Sequence, residues 1–291
     1  MNSGILYALG AYLSWGLFPL YFRQIASIPA LQIVAHRTLW SLAFVAVVLI
    51  VTRNLDWLKQ VSAATWRRFA LSALLIAINW LTYVWAVGHG HVLDASLGYF
   101  INPLVNVALG FAVLHERPRP VQWLAVGLAA FGVLWLTVAA GRLPWVALVL
   151  AFSFGFYGLM RKTASLGAIE GLTLETLILA PLAAAGLIWW SQDGSMAGQT
   201  AVDWAWLIGT GPVTAGSLLL FAAGARRIPL ATLGLVQYVS PSLQFLLGVF
   251  LFHEPMDATR LVAFACIWGA LAIYSAEGLW QARRAMVVKP L

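Results

Sequence analysis

Charged residues are nearly missing from this chain. Asp, Glu, Lys and Arg make up 9% of its 291 residues, where a soluble domain carries roughly 25%. Too few polar groups remain to face water around a compact globule, so a soluble domain is excluded. Cysteine is almost absent too. The single Cys266 lies in an apolar run, which rules out a disulfide framework and says nothing of redox compartment. Connections between apolar runs are too short for a separate soluble domain. Ten-residue segments of alternating hydrophobicity do not occur, which removes an outer-membrane barrel. No Gly-rich phosphate loop ending in Lys-Ser/Thr is found, so nothing supports a built-in ATPase. The opening MNSGILYALG has no basic segment or small-residue cleavage site, and its apolar run reads as a first span, not a signal peptide.

What the chain does have is apolar length. It is 62% hydrophobic and holds 15 Trp, and a run of about 20 apolar residues spans a hydrocarbon core as a helix. Ten such runs are expected, near 4–22, 32–52, 69–88, 94–114, 121–139, 144–163, 172–190, 204–223, 232–252 and 259–278. The fold class is therefore an all-α integral membrane protein with ten transmembrane helices. A net charge of +7 raises nucleic acid as a partner, but the basic residues sit in small groups between apolar runs, as in loops flanking membrane helices. The partner they imply is a lipid bilayer. With the N-terminus in the cytoplasm, the inner connections and tail carry thirteen Lys and Arg, and the outer connections carry only Arg23, Arg142 and Arg260. The positive-inside rule then puts both termini in the cytoplasm.

One span is written twice. Leu97 to Glu116 reads LGYFINPLVNVALGFAVLHE, and Leu233 to Glu254 reads LGLVQYVSPSLQFLLGVFLFHE. Ser14-Trp15-Gly16 likewise matches Ser153-Phe154-Gly155, and the spacing is near 138 residues in most matches and 136 at Leu233-Gly234. Five spans per half is an odd number, so residues 1–139 and 140–291 should form two repeats inserted in opposite senses. Inverted repeats place a substrate site near the midplane of secondary transporters.

The candidate site residues follow from that geometry. Pro103 and Pro241 should kink their helices and free a backbone polar group. A kink that only shapes the bundle is the bland alternative. Tyr99, Asn102, Gln237, Tyr238 and Ser240 lie within a turn of the kinks and are read as substrate contacts. Trp15 and Tyr157 stand beside the repeated Gly of spans 1 and 6, though packing alone accounts for many aromatics here. Asn79 and Tyr83 share one face of span 3 and suit a cavity wall as well as helix-to-helix hydrogen bonding. The kinks are expected to face each other across a cavity walled by spans 1, 3, 4, 6, 8 and 9.

Charges inside spans each cost roughly 2.5–3.5 kcal/mol at mid-helix on insertion scales. His36, Arg37 and Glu175 are the clear cases. Arg37 and Glu175 occupy equivalent repeat positions, yet inverted topology places them toward opposite ends, so separate partners are expected. His36 and Glu175 are the intramembrane groups suited to carrying protons. The repeated His115-Glu116 and His253-Glu254 lack the second His that a zinc-binding helix needs four residues on. They read as helix caps on opposite membrane faces, and neither a metal nor a cofactor is expected.

Several passages resemble the RarD branch of the EamA-type drug/metabolite transporter (DMT) superfamily over essentially the whole length: His36-Arg37 with Trp40-Ser41, Asn79-Trp80, Ala95 through Asn106, Gln122 through Val126, and Ala151 through Ser153-Phe154. Where that family ends span 4 in Gly-Glu, this chain has His115-Glu116. The resemblance implies a bacterial inner-membrane permease of ten helices and two EamA repeats. Its branches export amino acids and other metabolites, and RarD members are named for chloramphenicol sensitivity. The expected function is secondary transport of a small-molecule substrate, as export of a metabolite, amino acid or amphipathic drug by alternating access. An intramembrane enzyme would need a Ser/His or carboxylate pair at matching depth, and none is found. A membrane sensor or structural subunit would need an output domain.

Overall fold

A computed structural model describes residues 3–52, 56–115, 119–162, 165–225, 227–228 and 236–287. Glu116, Ala231 through Gly234 and the basic Arg53, Arg117, Arg226 and Lys289 lie outside the described residues. Regular structure in the remainder is helical. Its helices are α1 (Ser3–Arg23), α2 (Ala30–Val51), α3 (Ala63–Gly88), α4 (Val92–Leu114), α5 (Pro120–Ala140), α6 (Trp145–Lys162), α7 (Ala168–Gln192), α8 (Ala201–Ala225), α9 (Val239–Leu246) and α10 (Ala258–Val287). A short 3-10 turn, Asp56–Gln60, precedes α3, and α9 continues as a π-helical turn over Leu247–Leu251. Eight of the described helices are long and apolar enough to cross a membrane. Trp145–Arg161 and Val239–Leu251 are apolar but shorter.

Apolar side chains cover the outer surface as well as the interior, unlike in a soluble protein. Val138 is 81% exposed and Val51, Leu182, Phe250 and Trp189 project outward as well, while Ser41, Ser96, Asn102 and Thr176 are fully buried. With lipid as apolar as Leu, burying Leu side chains does little to hold the helices together. Close packing and interhelical hydrogen bonds must do so instead. Gly98 shows the requirement: a Cβ there would stand 2.7 Å from the Ala147 carbonyl and 3.0 Å from Leu150 Cβ. Glycine lets α4 lie against the backbone of α6.

Helix directions follow from contacts along each pair. On α1 and α8, Ala8 meets Gly224, Trp15 meets Ser217 and Tyr21 meets the Trp206 carbonyl, so the pair is antiparallel. On α4 and α9, Leu93 meets Glu254, Ser96 meets Pro241 and Phe100 meets Tyr238, again antiparallel. The principal contacts join helices of the first five to helices of the last five: α4 with α6, α1 with α8 and α9, α2 with α7 and α8, α3 with α6 and α7, and α5 with α10. Exchanging each helix with the one five places away carries α4–α6 onto α1–α9, α1–α8 onto α3–α6, and α2–α8 onto α3–α7. The pairs α2–α7, α4–α9 and α5–α10 map onto themselves. Helices α5 and α10 lie at one edge and reach the rest through α4 and an aromatic cluster of Phe100, Phe245, Phe264 and Trp268.

The two prolines of the repeated span behave differently from each other. Pro103 lies inside α4, as Pro19, Pro181 and Pro212 lie inside α1, α7 and α8. Pro241 is the third residue of α9, which starts after a turn at Tyr238. A first turn has no intrahelical partner for that N–H, so proline is accommodated there. Pro241 therefore restarts a helix where a mid-helix kink was expected. The second copy also carries two more residues than the first between its Leu-Gly and its Pro, and an interruption absorbs such an insertion without rotating the face beyond it.

The repeated histidines are both in left-handed backbone conformation, His115 at φ 53° and His253 at φ 52°. His115 caps α4 and donates its backbone N–H to the Gly110 carbonyl. His253 lies beside the other end of α4, because the next residue, Glu254, accepts from Val92 N–H at 2.6 Å and Leu93 N–H at 2.9 Å. The two histidines thus sit at opposite ends of one helix.

Candidate polar site

Polar side chains that an apolar bundle must bury need partners, and those partners outline the site. Asn79 on α3 donates to the Leu150 carbonyl at 3.2 Å and to Ser153 Oγ at 3.0 Å on α6, and its own oxygen accepts from Tyr99 on α4 at 3.2 Å. Tyr83, one turn along α3, packs its ring 5.9 Å from that of Tyr99. The Tyr83 hydroxyl is buried without a hydrogen-bond partner. Trp15 on α1 donates its indole N–H to Ser217 on α8 at 2.8 Å. Arg37 on α2 joins this group, its Nε donating to Thr214 Oγ1 at 2.9 Å and its guanidinium 4.3 Å from the centre of a Trp80 ring. Six helices, α1, α2, α3, α4, α6 and α8, thus bring Trp15, Arg37, Asn79, Tyr83 and Tyr99 into one polar neighbourhood.

A second polar group lies where α4 meets α6 and α9. Asn102 is fully buried and donates to the Ala151 carbonyl at 3.0 Å, accepting from Asn106 at 3.2 Å and Gln237 at 3.5 Å. Ser96 donates to the Pro241 carbonyl at 2.7 Å, and Gln244, bonded to the Trp15 carbonyl at 3.1 Å, reaches Ser240 at 3.4 Å. Tyr238 lies over Phe100 with ring centres 6.5 Å apart. The helix breaks therefore touch, where a cavity between them was expected. A backbone carbonyl inside an apolar bundle needs a donor, and Ser96 supplies it from the facing helix, drawing α4 and α9 together.

Tyr157 belongs to a third group. Its hydroxyl donates to Glu175 at 3.2 Å, Ser72 donates to the same carboxylate at 2.5 Å, and Arg161 lies 3.6 Å away. Glu175 is 1% exposed, and leaving such a carboxylate without its partners would cost several kcal/mol. Gly171 leaves room for this arrangement, since a Cβ there would overlap the Arg161 guanidinium. Arg37 and Glu175 do have separate partners. His36 is buried edge-on to Trp204 at 5.1 Å, with Nε2 unpartnered. It lines an open apolar groove of about 510 Å³ with Trp40, Leu187 and Ile188. A more polar pocket of about 310 Å³ lies by the start of α4, among His91, Asp94, Arg142, Trp145 and Arg260. Among the described residues no group of three His, Cys, Asp or Glu side chains is placed to hold a metal ion.

Residue reading missed Arg161, Thr214, Ser217 and Gln244. Arg161 looks like a loop residue because it adjoins Lys162 at the end of an apolar run. Thr214 and Ser217, three residues apart in an otherwise apolar run, carry a detectable signal: one polar face on α8.

The comparisons with known proteins agree with this picture. Residues 2–138 match the EamA-like transporter family. An uncharacterized transporter of Pseudomonas aeruginosa is 48% identical over 98% of this chain and 96% of its own length. Protein RarD of Escherichia coli K12 is 46% identical over 97% of both. The chain belongs to the RarD branch of the EamA-type DMT superfamily. A RarD-branch chain is a bacterial multi-pass membrane transporter, with the bilayer as its surroundings and a small molecule as its substrate. A solved crystal structure shares the RarD-branch fold at a TM-score of 0.63, covering 95% of this chain and 99% of that one at 18% identity.

Proposed function

We propose that this protein is an inner-membrane secondary transporter that exports small metabolites, amino acids or amphipathic drugs by alternating access. Its two halves, 1–139 and 140–291, act as inverted repeats around one central site, with both termini in the cytoplasm. The observation that carries the reading is the convergence of Trp15, Asn79, Tyr83 and Tyr99 from α1, α3 and α4, beside a fully buried Asn102, inside helices whose outer faces are apolar. A packing pattern that maps onto itself when the halves are exchanged supports two-state rocking of one half against the other. Two open pockets, one by the start of α4 and one among α2, α7 and α8, are suited to be routes toward the polar neighbourhood. Tyr157, Gln237, Tyr238 and Ser240 complete the proposed contacts, and His36 and Glu175 are the proposed proton carriers.

Flux in proteoliposomes tests the function. At least one labelled member of a panel of amino acids, organic acids and amphipathic drugs should enter saturably, and Asn102→Leu should abolish that flux while the variant keeps its melting temperature within a few degrees. Unchanged flux in Asn102→Leu removes this residue from the site. Absence of saturable flux for any of a panel of amino acids, organic acids and amphipathic drugs overturns the transport reading.

A further inference from the structure

Among the described residues Arg37 is the one charge in the central neighbourhood, and its environment leaves it half-used. It is 4% exposed. Its hydrogen bond runs from Nε to Thr214. Aromatic rings surround the guanidinium, with Trp80 at 4.3 Å, Phe22 at 5.4 Å and Phe18 at 5.7 Å from its central carbon. Among the described residues no carboxylate stands within ion-pair distance of it, and its electrostatic neighbours are the phenols of Tyr83 and Tyr99. Glu175, the buried acid at the equivalent repeat position, is held by Arg161, Ser72 and Tyr157.

A buried guanidinium without an anion is costly to keep. Cation–π contact returns about 0.5–2 kcal/mol, which a neutral side chain of similar shape would match without the burial penalty. Arg differs from such a side chain in its planar fork of N–H donors. The rings around it offer no oxygen acceptor, so its N–H donors other than Nε are its means of recognition, and that fork matches an oxyanion bidentately. A second donor points the same way: among the described residues the buried Tyr83 hydroxyl has no partner, and Tyr83 stands one turn along α3 from Trp80, whose ring the guanidinium contacts.

We propose that Arg37 is the anion-recognition residue of the transport site and that the substrate is an organic carboxylate on a flat apolar body. This rests on the transporter reading and narrows it. The Nη donors of Arg37 and the Tyr83 hydroxyl take the carboxylate, and the rings of Tyr99 and Trp15 pack the apolar part. Among the described residues no acidic side chain pairs with Arg37 or stands at hydrogen-bond distance of Tyr83 or Tyr99 to receive an ammonium group. The site therefore favours a simple carboxylate over a zwitterionic amino acid and over a cationic drug.

Binding to the purified full-length protein tests this with four probes of one shape: 3-phenylpropionate, its amide, phenylalanine and phenethylamine. Wild type should bind 3-phenylpropionate at least tenfold more tightly than the other three. Arg37→Gln should lose that preference, and Arg37→Lys should keep only part of it because the fork is gone. Tyr83→Phe removes a hydroxyl that no protein group uses, so its melting temperature should hold while 3-phenylpropionate affinity falls several-fold. Equal binding of 3-phenylpropionate and its amide by wild type overturns the proposal, whether or not the Arg37 variants fold. So does an unchanged preference in Arg37→Gln. Arg37-dependent binding without flux in liposomes would leave this inference standing and overturn the transport reading. Saturable flux of phenethylamine or the amide that Arg37→Gln leaves intact would do the reverse.

Discussion

Glu254 fastens the start of α4 from outside the helix, and it shows what one polar residue does in this bundle. Its carboxylate takes two N–H groups, of Val92 and Leu93, that have no intrahelical acceptor, and it faces the helix N-terminus, where negative charge is favoured. Burial pushes its carboxyl above the ordinary carboxylate range, although the two N–H donors and nearby Arg260 pull it back down. A folded-state value above the unfolded one means that the folded protein holds the proton more tightly. That contribution to stability is full at low pH and fades as pH rises from the ordinary carboxylate value through the raised one. Melting temperatures in detergent, stepped upward through that window, should fall for wild type relative to Glu254→Gln, which does not titrate. Glu254→Leu leaves both N–H groups without an acceptor and should cost about 1–3 kcal/mol throughout.

At the scale of the element, close approach decides which helices meet. The sequence repeats Leu-Gly at the head of the Pro-bearing span, and in the first copy the reason is visible: Gly98 lies against the Ala147 carbonyl. Gly98→Leu should push α4 off α6 and disturb the bonds that Asn79 and Asn102 make to carbonyls of α6. Overpacking of this kind costs about 1–3 kcal/mol or more, read as a lower melting temperature and weaker binding of 3-phenylpropionate together. The break before α9 is also an element-level event. Proline marked its neighbourhood in the sequence, but the turn falls at Tyr238, three residues earlier. Proline reports where a helix is unable to continue backward, and the position of the break depends on what the preceding residues pack against.

At the scale of the molecule, the halves interleave and do not stand side by side. Because the principal helix contacts run between the first five and the last five helices, each half needs the other to partner several of its buried polar side chains. Arg37 is partnered by Thr214, Asn79 by Ser153, Trp15 by Ser217 and Ser72 by Glu175. Expressed separately, residues 1–139 and 140–291 should each be degraded or aggregate, whereas co-expression from two plasmids should restore a complex that co-purifies and binds 3-phenylpropionate. A stable, monodisperse first half on its own would contradict this account.

Membrane residence and helical class were legible in the chain, because lipid allows few backbone solutions and because apolar length and basic loops are local features. That Asn79, Tyr99 and Trp15 need hydrogen-bond partners was legible for a similar reason: a polar or amphipathic group in an apolar run has to find one. Which partner it finds was not. Tyr157 pairs with Glu175, apart from the other site residues, and Arg161 reaches inward from what reads as a loop. Among the described residues Glu175 has a cation, Arg161, 14 residues back on another helix, while the partner of Arg37, the neutral Thr214, lies 177 residues away and is also met across helices. Spacing along one chain carries no record of that meeting, so only the tertiary structure could separate a compensated charge from one that awaits a ligand.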